Sequence, residues 1–313
     1  MRVVYFGTPE FAVLPFKALL HAGHEVVAVV TQPDRQSGRG RQLKSCPVKM
    51  EAHKAGLRIL QPGRVRDPEF IDILRALNPE AVVVAAYGQI LPGAIIHLPE
   101  LGCINIHASL LPAYRGAAPI NWAIINGEGK TGITTMLMDE GMDTGPVLLK
   151  RETEISADDT AGSLSLRLSK IGAELLIPTL KGLESGEVKP VPQAGEVSYA
   201  PLLKKEDGLI DWSKSAEELC RFINGMNPWP GAFSVLENER VKIIKAIPLD
   251  GRAEAGTIDR AGKDGLIAGT GTGRLSILEI QPSGKAVMPV RAYLQGRRLK
   301  EGMKFSMQTR GNN

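Results

Sequence analysis

Short apolar runs alternate along the first half of the chain with longer segments whose apolar residues recur at helical spacing. The runs at residues 2–7, 25–32 and 81–88 are apolar on both faces, as in strands buried inside a parallel sheet. Residues 9–23 and 67–78 carry the helical pattern. The alternation predicts an α/β domain with helices on both faces of a parallel sheet. Such a sheet binds its ligands beyond the carboxyl ends of its strands.

Further signals complete this first region. Thr8 is expected to be the N-cap of the first helix, with Pro9 in its first turn, because both residue types favour those positions. Residues 131–139 are expected to form a later strand, and residues 158–186 are expected to be mostly helix. We therefore expect the α/β domain to extend over residues 1–189.

The composition changes after this region. Residues 187–208 contain three prolines and no sustained periodicity, so we place a linker at 190–206 and a second domain at 207–313. A helix is expected at 215–226. Short strand-like segments separated by turns then predict a small antiparallel barrel; they occupy residues 232–237, 241–247, 265–270 and 274–282.

Composition restricts the class of protein. The 313 residues are 43% hydrophobic and 23% charged, as in a soluble globular protein. The three cysteines form no CxxC pair, which argues against a disulfide framework or a zinc site and indicates a reducing compartment. The first apolar run is too short for a signal peptide, and no run approaches the ~20 residues of a membrane span. We therefore expect a cytoplasmic protein.

The net charge of +4 is unevenly placed. Residues 1–203 hold 20 Lys and Arg against 21 Asp and Glu, a net of −1, whereas residues 204–313 hold 18 against 13, a net of +5. The basic second half suggests a polyanionic partner such as nucleic acid. An ordinary lysine-rich surface is the alternative.

The strongest candidate chemistry lies in residues 102–120, GCINIHASLLPAYRGAAPI. Side chains alternate along a strand, so Asn105 and His107 share one face about 7 Å apart, at the strand's carboxyl end. An asparagine amide there can donate a hydrogen bond to a developing oxyanion, and a histidine can take or hold a proton. The alternative is two polar residues bonded to loop backbone.

A nearby carboxylate would strengthen the catalytic interpretation. The loop at 138–147, MDEGMDTGPV, offers Asp139, Glu140 and Asp143, and its glycines suggest a sharp turn. A carboxylate beside His107 would orient the imidazole ring. Aspartate next to glycine is also a common turn residue, and the sequence does not show that the two loops meet.

Residues 104–120 and 138–147 together resemble the folate-dependent formyltransferases, whose superfamily carries this Asn-x-His and Ser-Leu-Leu-Pro pair. A closer resemblance, to the members that act on methionyl-tRNA, extends over nearly the whole chain through FGTPEFAV, TQPDRQSGRGRQLKSCPVK, AYGQILP and NPWPGAF. It implies a Rossmann-like N-terminal formyltransferase domain and an OB-like C-terminal barrel that binds tRNA. The formyl donor would be 10-formyltetrahydrofolate, and the acceptor the α-amine of methionine on initiator tRNA. We expect a monomer that needs no metal.

The resemblance also implies roles for individual residues. Asn105 would stabilise the tetrahedral oxyanion, His107 would help remove the proton of the amine, and Asp143 would orient His107 and relay protons. Backbone groups and leucine side chains of one segment would hold the folate; this segment consists of Ser109, Leu110, Leu111 and Pro112. Ala113 stands where family members often have a basic residue. This difference would weaken a peripheral charge contact at most.

Two regions are candidates for holding RNA. The glycine-containing loop at 32–49 is cationic, and the resemblance assigns tRNA contacts to Arg39, Arg41 and Lys44. A solvated surface loop is the alternative. In the second domain the basic candidates are Arg297, Arg298 and Lys300, together with Lys204 and Lys205 of the preceding linker. We expect Trp229 to be a structural residue packed under the barrel, because buried tryptophan usually anchors a core.

Three other functions remain open. A nicotinamide-dependent dehydrogenase is disfavoured, because FGTPEF has one glycine where a dinucleotide fingerprint needs three. A non-catalytic RNA-binding protein would explain the basic second domain but not the three polar residues. A related formyltransferase acting on a nucleotide sugar or on glycinamide ribonucleotide is the nearest alternative, and the arginine-rich loop and the second domain argue for a larger substrate.

Overall fold

The computed structural model describes residues 1–37, 42–263 and 265–306. Contacts divide the chain into two compact units. The first comprises residues 1–119, 130–154 and 165–200, and the second comprises 120–129, 155–164 and the chain from Pro201 onward. The described helices are α1 (Val13–His21), α2 (Pro47–Lys54), α3 (Pro68–Ala76), α4 (Gly93–Ile96), α5 (Pro119–Ile125), α6 (Ala161–Ser185), α7 (Ala216–Gly225) and α8 (Val290–Gln295), with 3-10 turns at Glu10–Ala12 and Glu206–Gly208.

The first unit is built on an open sheet. Its described strands are β1 (Arg2–Gly7), β2 (Glu25–Val30), β3 (Arg35–Ser37), β4 (Gln42–Lys44), β5 (Ile59–Leu60), β6 (Ala81–Ala85), β7 (Cys103–His107), β8 (Arg115–Gly116), β9 (Lys130–Leu137), β10 (Val147–Glu154) and β11 (Tyr199–Ala200). Seven of these form the main sheet in the order β10-β9-β7-β6-β1-β2-β5. Neighbours from β7 to β5 are parallel, whereas β9 and β10 are antiparallel to the strands beside them. The predicted Rossmann-like class is confirmed, with an antiparallel edge.

Aromatic side chains pack on both faces of β1. On one face Phe6 makes edge-to-face contacts with Phe70 of α3 and with Tyr87, at centroid distances of 6.5 and 5.0 Å. On the other face Tyr5 lies 5.4 Å from Phe16 of α1. Burial of side chains this large stabilises the fold by about 1.5–3 kcal/mol each. The inner strands are therefore a rigid support for the loops at their carboxyl ends.

The predicted capping role of Thr8 is wrong. The chain enters α1 through a 3-10 turn whose cap is Pro9, and no side chain bonds to that cap. The Thr8 hydroxyl instead donates to the Tyr87 carbonyl at 3.1 Å and accepts from the Gln32 backbone N–H at 3.3 Å. Thr8 therefore joins the ends of three neighbouring strands, β1, β2 and β6, because their carboxyl ends meet at the same edge.

The second unit contains an antiparallel sheet. Its described strands are β12 (Phe233–Leu236), β13 (Glu239–Leu249), β14 (Ile258–Gly262), β15 (Gly265–Gly269), β16 (Arg274–Pro282) and β17 (Met288–Pro289). Their order is β12-β13-β16-β15-β14, with β17 on β16. The C-terminal segment joins the two edges: Ser306 exchanges backbone hydrogen bonds with Val235, and the Ile258 N–H donates to the Met303 carbonyl at 2.7 Å. The sheet therefore curls into a half-barrel, as the fold prediction requires, and its edges are protected.

Trp229 does not pack under this sheet. Half of its surface is exposed, whereas Trp212 is 4% exposed and stacks on Phe305 at 4.7 Å. Trp212 is therefore the aromatic anchor of the unit, and the expectation for Trp229 is wrong. The Asn227–Gly231 backbone is held instead by hydrogen bonds to residues outside the segment: the Gly231 N–H donates to the Met226 carbonyl and the Lys242 ammonium donates to the Pro230 carbonyl, both at 2.8 Å.

The unit boundaries differ from the predicted 1–189, 190–206 and 207–313. The 191–200 segment, placed in the predicted linker because of its prolines, pairs with the first unit: Val191 bonds to Val147, and β11 runs parallel to β8. None of the helices in the described residues is long and apolar enough to cross a membrane.

Candidate active site

The candidate site lies at the carboxyl end of β7, an inner strand between β6 and β9. Asn105 pairs with Met136 and His107 with Thr134, so the two polar residues are two positions apart on one strand and share a face, as predicted. The His107 side chain is 6% exposed. An inner strand bonded on both sides holds these side chains in a fixed direction.

Asp143 joins them from the loop between β9 and β10. One carboxylate oxygen accepts a hydrogen bond of 2.8 Å from the Gly116 backbone N–H. The other lies 3.4 Å from the Asn105 amide nitrogen and 3.6 Å from Nδ1 of His107. The predicted amide, imidazole and carboxylate therefore meet at one point. Asp143 has a positive φ of 52°, a left-handed conformation that carries an energetic cost for a residue with a Cβ atom. In this conformation its carboxylate faces Asn105 and His107.

The environment of His107 fixes its tautomer. Nε2 lies 2.9 Å from the Tyr114 carbonyl oxygen, which only accepts hydrogen bonds, so Nε2 carries a proton. In the neutral ring Nδ1 is then the basic nitrogen, and it faces Asp143. A proton taken up at Nδ1 produces an imidazolium ion next to a carboxylate, which is a stabilising pair.

Asn105 has donor capacity beyond this contact. Its amide group has two N–H donors, and one points at Asp143. The second can bind an oxygen that becomes negative during a reaction. The arrangement can therefore accept a proton and stabilise an oxyanion side by side, which is the chemistry of acyl or formyl transfer to an amine.

The predicted folate segment is largely occupied by internal contacts. The Ser109 hydroxyl donates to the Ala113 carbonyl at 2.6 Å, and the Leu111 N–H donates to the Thr134 hydroxyl at 3.1 Å. The Leu111 side chain is fully buried, so it is part of the core and does not offer the expected apolar contact. Leu110 is partly exposed and remains available for such a contact.

The cationic loop is described at its base. Arg39 and Arg41 lie outside the described residues, and Lys44 is exposed at the end of β4. Below it, Asp34 accepts a hydrogen bond of 2.6 Å from Lys49, and this bond holds the pKa of the Asp34 carboxyl below its ordinary value. Lys49 is therefore engaged in an ion pair at the base of the hairpin.

Residues of the 191–200 segment were missed by the sequence-based prediction. The Ser198 hydroxyl accepts a hydrogen bond of 2.9 Å from the Tyr114 N–H, and Tyr114 in turn binds His107. Gln193 bonds to the Asp143 carbonyl and to Arg115. The segment pairs with strands only at Val191 and at Tyr199–Ala200 and otherwise contacts loops, so its sequence pattern carried no signal. Within the described residues no group of three or more His, Cys, Asp or Glu is placed to hold a metal ion.

An open sheet with an amide, an imidazole and a carboxylate at the carboxyl end of an inner strand defines an α/β enzyme domain, here followed by a half-barrel. The family model described as "Formyl transferase" matches residues 1–180, and that described as "Formyl transferase, C-terminal domain" matches residues 202–298. The first match covers more than half of the chain, so the chain belongs to the formyl transferase family.

Relatives agree with this assignment. The chain is 51% identical over 301 residues to the methionyl-tRNA formyltransferase of Thermodesulfovibrio yellowstonii, covering 96% of this chain and 97% of that one. It is 51% identical over 303 residues to the enzyme of the same name from Citrifermentans bemidjiense, covering 96% and 95%. The solved structure of methionyl-tRNA formyltransferase from Clostridium thermocellum matches 89% of this chain and 99% of that chain with a TM-score of 0.56 at 20% identity, which supports the fold.

Proposed function

We propose that this chain transfers the formyl group of 10-formyltetrahydrofolate to the α-amino group of methionyl initiator tRNA for translation initiation. The observation that carries the proposal is the convergence of Asn105, His107 and Asp143 at the carboxyl end of β7. Two relatives with 51% identity over nearly the whole chain are named for this reaction, which supports the choice of substrate.

In the proposed reaction the amine nitrogen attacks the formyl carbon and forms a tetrahedral intermediate. The second N–H of Asn105 stabilises the oxyanion, a contribution of about 10²–10³ in rate for donors of this kind. The proton of the attacking amine passes to Nδ1 of His107, and Asp143 stabilises the imidazolium ion. The oxyanion then collapses, the bond from the formyl carbon to N10 of the folate breaks, and N10 takes the proton held at Nδ1 of His107.

The folate would lie along the segment from Ser109 to Pro112. Internal hydrogen bonds hold the Ser109 hydroxyl and the Leu111 backbone N–H. We therefore propose that these two residues shape the wall of the folate site and that Leu110 makes the apolar contact. The formyl group is transferred preformed, so the proposed steps use protein side chains alone.

For tRNA we propose Arg39, Arg41 and Lys44 in the cationic loop, and exposed cations of the second unit. Arg297 is bonded to Glu239 and lies over the Tyr293 ring at 4.8 Å, which occupies its guanidinium. Arg298 and Lys300 are exposed, as are Lys204 and Lys205, and these are the better candidates for phosphate contacts. We propose a cytoplasmic location, since aminoacylated tRNA is the acceptor, and we keep the expectation of a monomer as a prediction.

The substrate assignment is tested by incubating the purified chain with 10-formyltetrahydrofolate and one of three acceptors: methionyl initiator tRNA, an amino-sugar nucleotide or glycinamide ribonucleotide. We expect formylation of the tRNA-bound methionine and none of the two small acceptors. Formylation of a small acceptor in preference to methionyl-tRNA would overturn the proposal in favour of another member of the family.

A further inference from the structure

The Gln193 side chain connects the two loops that build the site. Its amide nitrogen donates to the backbone carbonyls of Asp143 and Gly145, both at 2.8 Å. Its amide oxygen accepts from Nε and a terminal nitrogen of Arg115, at 3.1 and 2.7 Å. Both N–H donors of the Gln193 amide are therefore engaged by the loop that carries Asp143, and its oxygen is engaged by the loop that carries Arg115.

These contacts form a closed ring with the catalytic carboxylate. Gln193 holds the carbonyl of Asp143, and the Asp143 carboxylate accepts from the Gly116 N–H at 2.8 Å. Gly116 directly follows Arg115, which returns to Gln193. The ring fixes both the backbone and the side chain of Asp143. Gln193 holds the backbone carbonyl directly, and it holds the Gly116 N–H that binds the carboxylate through its contact with Arg115.

The Asp143 loop needs such an anchor. Asp143 has φ +52°, a conformation that L-residues with a Cβ adopt at an energetic cost. At Gly145 a Cβ atom would lie 1.9 Å from the Leu137 carbonyl oxygen, so the chain turns tightly against β9. A strained turn relaxes unless neighbouring groups hold it, and relaxation here would move the carboxylate away from His107.

We propose that Gln193 is a positioning residue for the reaction, which holds the Asp143 carboxylate within reach of Nδ1 of His107 and of the Asn105 amide. It acts through the Asp143 backbone and does not touch the reacting atoms. The kinetic test of this role measures formyl transfer and therefore rests on the proposed function. A displacement near 1 Å in such a site costs as much as about 10² in rate, so the effect belongs in kcat.

Two substitutions distinguish the donor side of the Gln193 amide, which binds the Asp143 loop, from its acceptor side, which binds Arg115. Gln193→Glu keeps an oxygen for Arg115 but removes the donors and places oxygen against two carbonyls, whereas Gln193→Met removes both halves at similar length. We expect kcat to fall about 10- to 100-fold in both variants, with KM for folate and for tRNA changed less than about threefold. The control Glu196→Met introduces the same side chain at an exposed position of the same segment and should keep wild-type kcat.

Crystal structures of wild type and Gln193→Met supply a readout that does not depend on activity. We expect the distance from the Asp143 carboxylate to His107 Nδ1, 3.6 Å here, to lengthen in the variant. An unchanged distance, or a Gln193→Glu variant with wild-type kcat, overturns the inference. A wild-type chain that does not formylate methionyl-tRNA overturns the proposed function instead, and the crystallographic comparison still decides the role of Gln193.

Discussion

The carboxylate of Asp143 divides its two oxygens between different partners. One is held by the Gly116 N–H, and the other faces the Asn105 amide and His107 Nδ1. The charge of this second oxygen is what pairs with a proton on the imidazole, while the first oxygen fixes direction. Shape and charge are therefore separable by substitution at this residue.

We predict that Asp143→Asn lowers kcat by about 10² or more, because the amide keeps the shape but loses the charge that stabilises protonated His107. The measurement is formyl transfer at saturating folate and tRNA. Glu140→Gln, at an exposed position of the same loop, is the matched control and should retain its activity. An Asp143→Asn rate within threefold of wild type would remove the carboxylate from the mechanism.

The sequence was sufficient to predict Asn105 and His107 as a pair, because alternation along one strand is a local property. It supplied Asp143 as one of three candidate carboxylates, since the meeting of two loops depends on sheet order. It could not supply Gln193 or Ser198. Their partners are backbone groups of distant loops, and such contacts leave no periodic pattern.

Strands and helices were predicted well where apolar patterns were long. The inner strands and α3, α6 and α7 appear where the periodicity placed them. Strand β14 was missed, because its sequence IDRAG is short and mixes charged residues with glycine. Thr8 was misplaced because a threonine before Pro is a common cap, whereas here its hydroxyl joins three strand ends.

The hairpin of β3 and β4 has a pH-sensitive base. The hydrogen bond from Lys49 holds the pKa of Asp34 below its ordinary value, so the pair stabilises the fold at neutral pH and is lost as the pH falls through the lowered pKa. We predict that Lys49→Met lowers the melting temperature at pH 7 and weakens its decline between about pH 4 and pH 2. The exposed Lys170→Met is the control. An acid decline equal to that of wild type would refute this role.

The two parts of the sequence on either side of residue 203 differ in net charge. The net charge of −1 over residues 1–203 and +5 over 204–313 places the surplus of basic residues after the α/β domain. A basic half-barrel suits a polyanion much larger than a nucleotide. We therefore propose that the N-terminal part carries the chemistry and that basic residues of the C-terminal part supply electrostatic affinity for RNA.

We predict that tRNA binding weakens steeply as salt rises, with each phosphate contact adding about 0.9 to the slope of log affinity against log salt. The double variant Arg298→Ala, Lys300→Ala should reduce that slope by about two. Gel-shift titrations across a salt series measure it. Lys54→Ala, a lysine already paired with Glu51, serves as control. A slope unchanged by the double variant would exclude both residues as phosphate contacts.

The most direct test of the whole account is the single-turnover rate of formyl transfer by His107→Gln at saturating 10-formyltetrahydrofolate and methionyl initiator tRNA. Glutamine can still donate to the Tyr114 carbonyl, but it offers no basic nitrogen toward Asp143. We predict a loss of at least about 10² in rate with folate and tRNA affinities retained. A variant that transfers formyl at the wild-type rate would rule out His107 as the group that takes the amine proton.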